Sequence, residues 1–410
     1  MTIWGKMGAL ATCLVAMSVQ AQQCGDTLSS NTVLQNPLHC SGVPFALRLD
    51  TPGIELDLNG YEIQNDGIGI LVDHADGAHV FNGAVNGAGC VIALPGDPAG
   101  IAVEGADGVV IEQIWMAEHA VAVALHGSSN SEVREITLKY AGIGFLVHDD
   151  AANGLRAEGN LISKNQMRGD PNCGGVGAWI GGTNATHNTL YANEFLGTTG
   201  GIYVGASKNR LQGNHHRGQG PNMVNGSYIG FGIVLETAND NYVTSNWIEN
   251  TSVGVHIDPG SAYPSRGSQG NWIVANDLQS GHIGVAVGHL HPTASGATSQ
   301  LNRIGDNRFV GPKTGIRFFH GGDDNNAVGN SYQQVGMDVI DQGSGNQWPG
   351  SAGSSRCSWR RRDAARFLGS LGPASVGAPR SACLRFAGWL THRFAAAGSQ
   401  LRGCRVPLMV

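Results

Sequence analysis

The sequence predicts an all-β fold built as one long parallel solenoid. Two recurring patterns predict it. A small residue followed by aliphatics at the first and third positions beyond it recurs ten times, and an asparagine-spaced unit follows each of the later recurrences. Composition agrees: the 410 residues include 62 glycines, with 14% charged and 7% aromatic residues. Glycine costs roughly 1 kcal/mol at each interior helix position, which excludes a helical bundle. Fifteen prolines are too few for collagen, and the spaced aliphatics exclude a disordered chain.

Residues 1–21 read as a secretory signal. Lys6, the apolar run Met7 to Met17 and the small-residue site Val19-Gln20-Ala21 give its three parts. The run is short for a membrane span, so we expect a secreted or periplasmic protein without one. Export permits disulfides. Of Cys24, Cys40, Cys90 and Cys173, the pair Cys24 and Cys40 closes a small loop in an N-terminal cap over residues 22–44. No cysteine has zinc-site spacing.

The repeats fill residues 45–348. The first unit starts at Gly67, Gly100, Ala120, Gly142, Gly175, Gly201, Gly232, Gly254, Gly284 and Gly315, each followed by alternating apolar residues such as Ile233 and Leu235. Such alternation marks a strand with one buried face. The second unit, Asn-x-aliphatic-x-x-Asn-x-apolar, runs from Asn188, Leu190, Asn193 and Phe195 to Asn302, Ile304, Asn307 and Phe309, with a weaker copy at Asn325 and Asn330. Asparagine tolerates left-handed backbone, so the second Asn of each unit is expected to turn the corner between two short strands. Stacked corners would align the amides into a hydrogen-bonded ladder. Each coil buries its aliphatics only against its neighbours, at a spacing of about 4.8 Å. A β-sandwich would instead carry paired hairpin turns.

Residues 349–410 differ. From Ser351 onward they hold ten arginines and one acid, Asp363, and no Asn, Lys, Glu, Ile or Tyr. Removing this tail (+9) and the signal (+1) from the net charge of −6 leaves −16 for residues 22–350. The tail reads as a disordered, functionless segment whose composition suits a frameshifted gene end. Nucleic acid is not an expected partner, because no basic stripe lies outside the tail.

The repeat resembles the right-handed parallel β-helix of the pectin-lyase-like superfamily across residues 45–348, and the segment Leu49 to Gly60 is similar to the first coil of many bacterial exported β-helix proteins. The resemblance implies a single-stranded right-handed parallel β-helix. It leaves function among polysaccharide lyases, glycoside hydrolases, uronan C5-epimerases and non-enzymatic members such as periplasmic copper-maturation proteins. Val255 to Gly260 is similar to the Asp-Pro-His-Asp motif of alginate C5-epimerases, but Gly260 stands at the catalytic His and Ser261 at the second Asp. No role is carried over from it.

Candidate site residues come from the outward positions, two and four beyond each start. Early coils present Gly69, Ala102, Ala122, Ala124, Gly144 and Gly177; later ones present Trp179, Tyr203, Glu236, His256, Asp258, Arg317 and Phe319. His289 and His320 follow the strands. In β-elimination or epimerisation of a uronan, His256 would be the base and Arg317 the carboxylate partner, with Glu236 and Asp258 as catalytic groups or a Ca²⁺ pair. In glycoside hydrolysis the two carboxylates would act as acid and base. Trp179, Tyr203, Phe319, His289 and His320 would line the substrate. His215-His216 and His289-Leu290-His291 read as ordinary loop histidines rather than metal ligands.

The expected function is therefore a carbohydrate-active β-helix, lyase or epimerase ahead of hydrolase, and monomeric. The alternative is a non-catalytic β-helix binding glycan or metal. Ca²⁺ is the one cofactor the carboxylate pair suggests. The acidic body repels a polyuronate unless a cation bridges it, which favours a neutral glycan or a cation-dependent acidic one.

Overall fold

The computed structural model describes residues 21–90, 97–170, 175–224, 227–260, 267–290 and 297–349. Most of the signal segment, the Arg-rich tail, Cys173, Ser261 and His291 lie outside these residues, as do the middle parts of the two long turns after Asp258 and His289.

The chain winds as one parallel β-helix. A 33-stranded sheet is formed by coil-to-coil pairings, and each full coil contributes one strand to each of three faces. On the first face, for example, Gly200–Val204, Phe231–Glu236, Val253–Asp258, Ile283–Val287 and Thr314–Phe318 pair in succession, all parallel. The second face stacks Arg210–Gln212, Tyr242–Thr244, Trp272–Val274 and Arg303–Gly305. The third stacks His215–Gly218, Trp247–Glu249, Asp277–Gln279 and Arg308–Val310. An antiparallel hairpin, Asn222–Val224 with Ser227–Ile229, stands outside this spiral.

The winding begins inside the segment expected as a cap. Asp26–Leu28 pairs with Leu47 to Leu49, and Leu38–Cys40 pairs with Ile63 to Asn65. The Cys24–Cys40 disulfide, with Cα atoms 5.6 Å apart, closes this first coil as expected. Cys90 is disulfide-bonded as well.

Aliphatic side chains fill the interior. Leu47, Ile70, Ile101, Val123, Phe145, Ala178, Ile202, Ile233, Val255, Val285 and Ile316 form one inward column, none more than 3% exposed. The residue before each member turns the corner into the sheet. It must be small because the next coil's backbone lies against it: a Cβ on Gly232 would sit 2.4 Å from both the Gly254 carbonyl oxygen and Ile248 Cγ2. This register corrects four expected starts. The small corner residues are Gly69, Ala122, Gly144 and Gly177, two positions after Gly67, Ala120, Gly142 and Gly175. Ile68, Val121 and Ile143 consequently lie on the outer face, in an apolar cluster with Ala102, Ala124 and Leu146. The outward columns are thus packed over much of the rod rather than solvated.

Both asparagine ladders exist. One runs from Asn160 to Asn346, the other from Asn165 to Asn330. At each rung the backbone N–H donates to the next Asn Oδ1, and at all but Asn209, whose amide turns to the Ala185 and Ser207 carbonyls, the Nδ2 donates to it as well; for Asn241 and Asn271 the backbone and amide distances are 2.9 and 3.1 Å. The left-handed residue is not the asparagine, however. It is the residue before it: Asp240 (φ 56°), Ser245 (55°), Ala275 (55°) and Leu301 (57°) are examples. The asparagine keeps ordinary backbone and turns its amide inward, where burial makes each amide hydrogen bond obligatory.

Candidate functional site

The register brings Trp179, Tyr203, Val234, His256, Ala286 and Arg317 into one outward column on successive rungs of the first face. Trp179 therefore shares the column of Tyr203 and His256 rather than that of Glu236, a consequence of the two-residue shift at Gly177. Glu236 and Asp258 are direct register partners on adjacent rungs, two residues farther along their strands.

Tyr203 joins the two columns. Its ring packs against Trp179 with centroids 4.8 Å apart, and its hydroxyl donates to Glu236 Oε2. Burial, and then the neighbouring Asp258 charge, push the Glu236 carboxyl above its usual range; the Tyr203 hydrogen bond and His256 pull the other way. Burial and the adjacent Glu236 also push the Tyr203 phenol up, so it remains a neutral donor. Asp258 Oδ1 accepts the Gly260 backbone N–H at 2.9 Å, which fixes its carboxylate where the chain leaves the strand.

His256 is held inside. It is 2% exposed, with Nε2 3.0 Å from the Gly288 carbonyl oxygen. That acceptor requires the proton on Nε2. Nδ1 faces Asp258 Oδ2 at 3.8 Å, and the ring stacks on Phe231. The sequence places this imidazole toward solvent; the structure packs it under an apolar cluster of Phe231, Val253, Ile283, Ala286 and Phe319, onto which the hairpin brings Tyr228.

Arg317 lies two rungs beyond His256, but its contacts lead away. The guanidinium sits 4.3 Å above the Phe319 ring and donates to Gln342 Oε1 at 3.2 Å. Phe319 is buried in the apolar cluster. His289 is also buried, its Nε2 3.1 Å from the Ala297 carbonyl oxygen. His320 is exposed. The candidates thus divide: Trp179, Tyr203, Glu236, His256 and Asp258 are brought together, whereas Arg317, Phe319, His289 and His320 are not part of that group.

Sequence reasoning missed Glu104 and His126. They share the column of Asp73 and His148 on successive rungs; the shifted start at Ala120 concealed His126, whereas Glu104 stands four beyond the correctly placed Gly100. It also passed over the second face, where Tyr242 and Trp272 are register partners and both exposed. The signal was present, since each directly follows a ladder asparagine in the repeat.

A parallel β-helix with an aromatic and carboxylate patch on its outer strand face defines the class of protein. The chain belongs to the NosD family, described as periplasmic copper-binding protein (NosD), which matches residues 81–288. The periplasmic description agrees with the export expected from the N-terminus. The chain is similar in fold to the A-module of mannuronan C-5 epimerase AlgE4 of Azotobacter vinelandii, with a TM-score of 0.52 at 14% identity over 79% of this chain and 88% of that one. The AlgE6 A-module gives 0.51 at 14%, over 79% and 88%. A tailspike protein double mutant of E. coli bacteriophage HK620 gives 0.51 at 13%, over 81% of this chain and 61% of the tailspike. At these identities the likeness is one of right-handed β-helix fold. No curated protein matches the sequence.

The described residues do not fit a copper site. Copper favours thiolate, thioether and imidazole clusters. Among the described residues no group of three or more His, Cys, Asp or Glu could hold a metal. Cys24, Cys40 and Cys90 are in disulfides, Met116 and Met167 are in the core, and both nitrogens of His256 face protein groups.

Proposed function

We propose that this chain is a secreted or periplasmic carbohydrate-active protein that holds a glycan along its first outer face and hydrolyses it with Glu236 and Asp258. One observation carries the reading: two carboxyls on adjacent rungs, of which Glu236 is driven toward its neutral form by burial and by the charge of Asp258. Glycosidases need such a division between a proton donor and an ionised partner. The rung spacing of roughly 4.8 Å is near the roughly 5 Å separation used by retaining enzymes. Glu236 acts as general acid toward the leaving oxygen and Asp258 as nucleophile; Trp179 and Tyr203 give the sugar a ring platform. The −16 body charge supports a neutral glycan at this face.

Elimination or epimerisation of a uronan is the second reading, favoured by the His256–Asp258 pair. It asks more of the fold, because His256 is buried with Nε2 committed to Gly288, and Arg317 contacts Phe319 and Gln342 instead of the pair. A Ca²⁺ ion takes six to eight oxygens, and burial and the Asp258 charge disfavour the ionised form of Glu236 that it would need. A glycan panel read for new reducing ends and for ultraviolet-absorbing unsaturated products separates the readings. Reducing ends alone, lost in Glu236→Gln and Asp258→Asn, support hydrolysis. Unsaturated ends lost in His256→Ala support elimination, and binding without turnover supports the non-catalytic alternative.

A further inference from the structure

A different face carries a second set of side chains with no assigned role. On adjacent rungs of the second face the outward column reads Arg210, Tyr242, Trp272, Arg303. Each ring is engaged on both sides. Arg210 lies over Tyr242, its Cζ 5.7 Å from the centroid, Tyr242 and Trp272 lie 6.3 Å apart, and Arg303 lies over Trp272 at 4.9 Å. Stacking of this kind leaves ring edges and guanidinium N–H groups facing outward. Ring edges carry the positive part of the aromatic quadrupole, and a stacked guanidinium is pre-set for two-pronged hydrogen bonding to an oxyanion.

These two cations are also unspent. Five other arginines (Arg48, Arg134, Arg156, Arg217 and Arg308) pair with carboxylates, whereas Arg210 and Arg303, like Arg168 and Arg317, have no carboxylate within 4 Å among the described residues; only Arg210 and Arg303 are stacked at the two ends of one aromatic pair. Arg210 Nε donates only to Gln212, at 2.7 Å, which steadies it. On a body of strongly negative charge, two free guanidiniums held three rungs apart, roughly 14 Å, are out of character with their surroundings. Beside Arg303 the surface opens into a shallow groove of about 490 Å³ lined by Trp272, Leu301, Asp324, Asn326 and Gln347. Its polar side chains can take sugar hydroxyls. Leu301 adds an apolar surface: it is 64% exposed at the left-handed ladder position where other coils place Gly, His, Lys or Asp.

We propose that this second face is a docking strip for an acidic polysaccharide, whose carboxylates are taken by Arg210 and Arg303 and whose sugar rings lie along the Tyr242–Trp272 edge and the groove. The charge pattern selects an anion, and the polar groove along the rod selects a linear sugar chain over a membrane. The strip is independent of Glu236 and tethers the protein while the first face works.

The test uses the full chain in the Glu236→Gln background, so that turnover does not consume the ligand and the result does not depend on hydrolysis. Affinity is measured for polygalacturonate in EDTA, for dextran, and for phosphatidylglycerol vesicles. The expected result is binding to polygalacturonate that falls about tenfold per lost charge-assisted contact in Arg210→Gln and Arg303→Gln and weakens with salt. Trp272→Ala, which removes the support of Arg303, lowers it too, and thermal unfolding stays unchanged in both arginine variants because the substituted groups lie on the surface. Unaltered affinity in the double arginine variant overturns the proposal. So does equal binding to dextran, a preference for the vesicles, or no binding to polygalacturonate at all.

Discussion

The Tyr203 hydroxyl donates to Glu236 across one rung of the first face, and this contact opposes the burial and the Asp258 charge that raise the Glu236 carboxyl. Removing it should therefore raise Glu236 further. A general acid works while protonated, so activity falls as pH rises through its pKa. In Tyr203→Phe the falling limb of the kcat/KM profile is expected to move to higher pH, with the rising limb in place. A limb that stays put, or moves down, contradicts the role given to Glu236.

The same residue makes a stability prediction. A carboxyl raised by folding contributes its full stability below its unfolded pKa and loses it as pH rises through the folded value. Glu236 is thus a burden at neutral pH. Glu236→Gln should melt higher than the parent at pH 7 and lose that advantage near pH 4, as read by thermal unfolding at the two values.

Buried histidines give the opposite slope. Burial holds His119 and His216 down to about 4. Each contributes stability that is present above about 6.5 and lost as pH falls from there toward 4, at most roughly 3 kcal/mol apiece. His119 Nε2 donates to the Val85 carbonyl oxygen at 2.9 Å, which glutamine can imitate. Denaturant midpoints of His119→Gln between pH 7 and 4 should fall less steeply than those of the parent.

Much of this architecture was readable from residues alone, because the spacing of Gly232, Ile233 and Leu235 follows from the strand period of two. That period also explains the error. Gly67-Ile68-Gly69 and Gly142-Ile143-Gly144 offer two small residues two apart, with aliphatics on either side. Nothing local says which one lies against the next backbone, and only the three-dimensional register chose the later. Burial of His256 was equally hidden, since the hairpin that brings Tyr228 over its apolar neighbours is an insertion outside the repeat. The exposed Tyr242–Trp272 pair is legible as well, because each ring directly follows a ladder asparagine.

The corner column provides a packing prediction. Gly232→Ala puts a methyl 2.4 Å from the Gly254 backbone oxygen, which has no room to yield, and should cost roughly 2–4 kcal/mol. At Gly100 the facing backbone oxygen, that of Ala122, lies farther off at 2.9 Å, and the closer contacts are side chains, Met116 Cε at 2.5 Å and His119 Cε1 at 2.7 Å. Gly100→Ala should cost clearly less. Urea midpoints of the two variants compare them directly.

The ladders predict a comparable loss. Asn241 donates to the Ala206 carbonyl and to Asn271, and accepts from the Asn209 backbone. Asn241→Ala strands the Ala206 carbonyl and the Asn209 N–H in the core, while Asn271 Oδ1 keeps the backbone N–H of residue 241, and should cost about 2–4 kcal/mol. Asn330, at the partly buried end of its ladder, should cost less.

The most direct measurement of the central claim is the stereochemistry of the first product, followed by proton NMR on the glycan that the panel identifies. Carboxyls one rung apart predict a newly formed reducing end with the anomeric configuration of the bond that was cut, and none in Glu236→Gln. An inverted anomer, an unsaturated end or turnover that survives Glu236→Gln would contradict the assignment of Glu236 and Asp258.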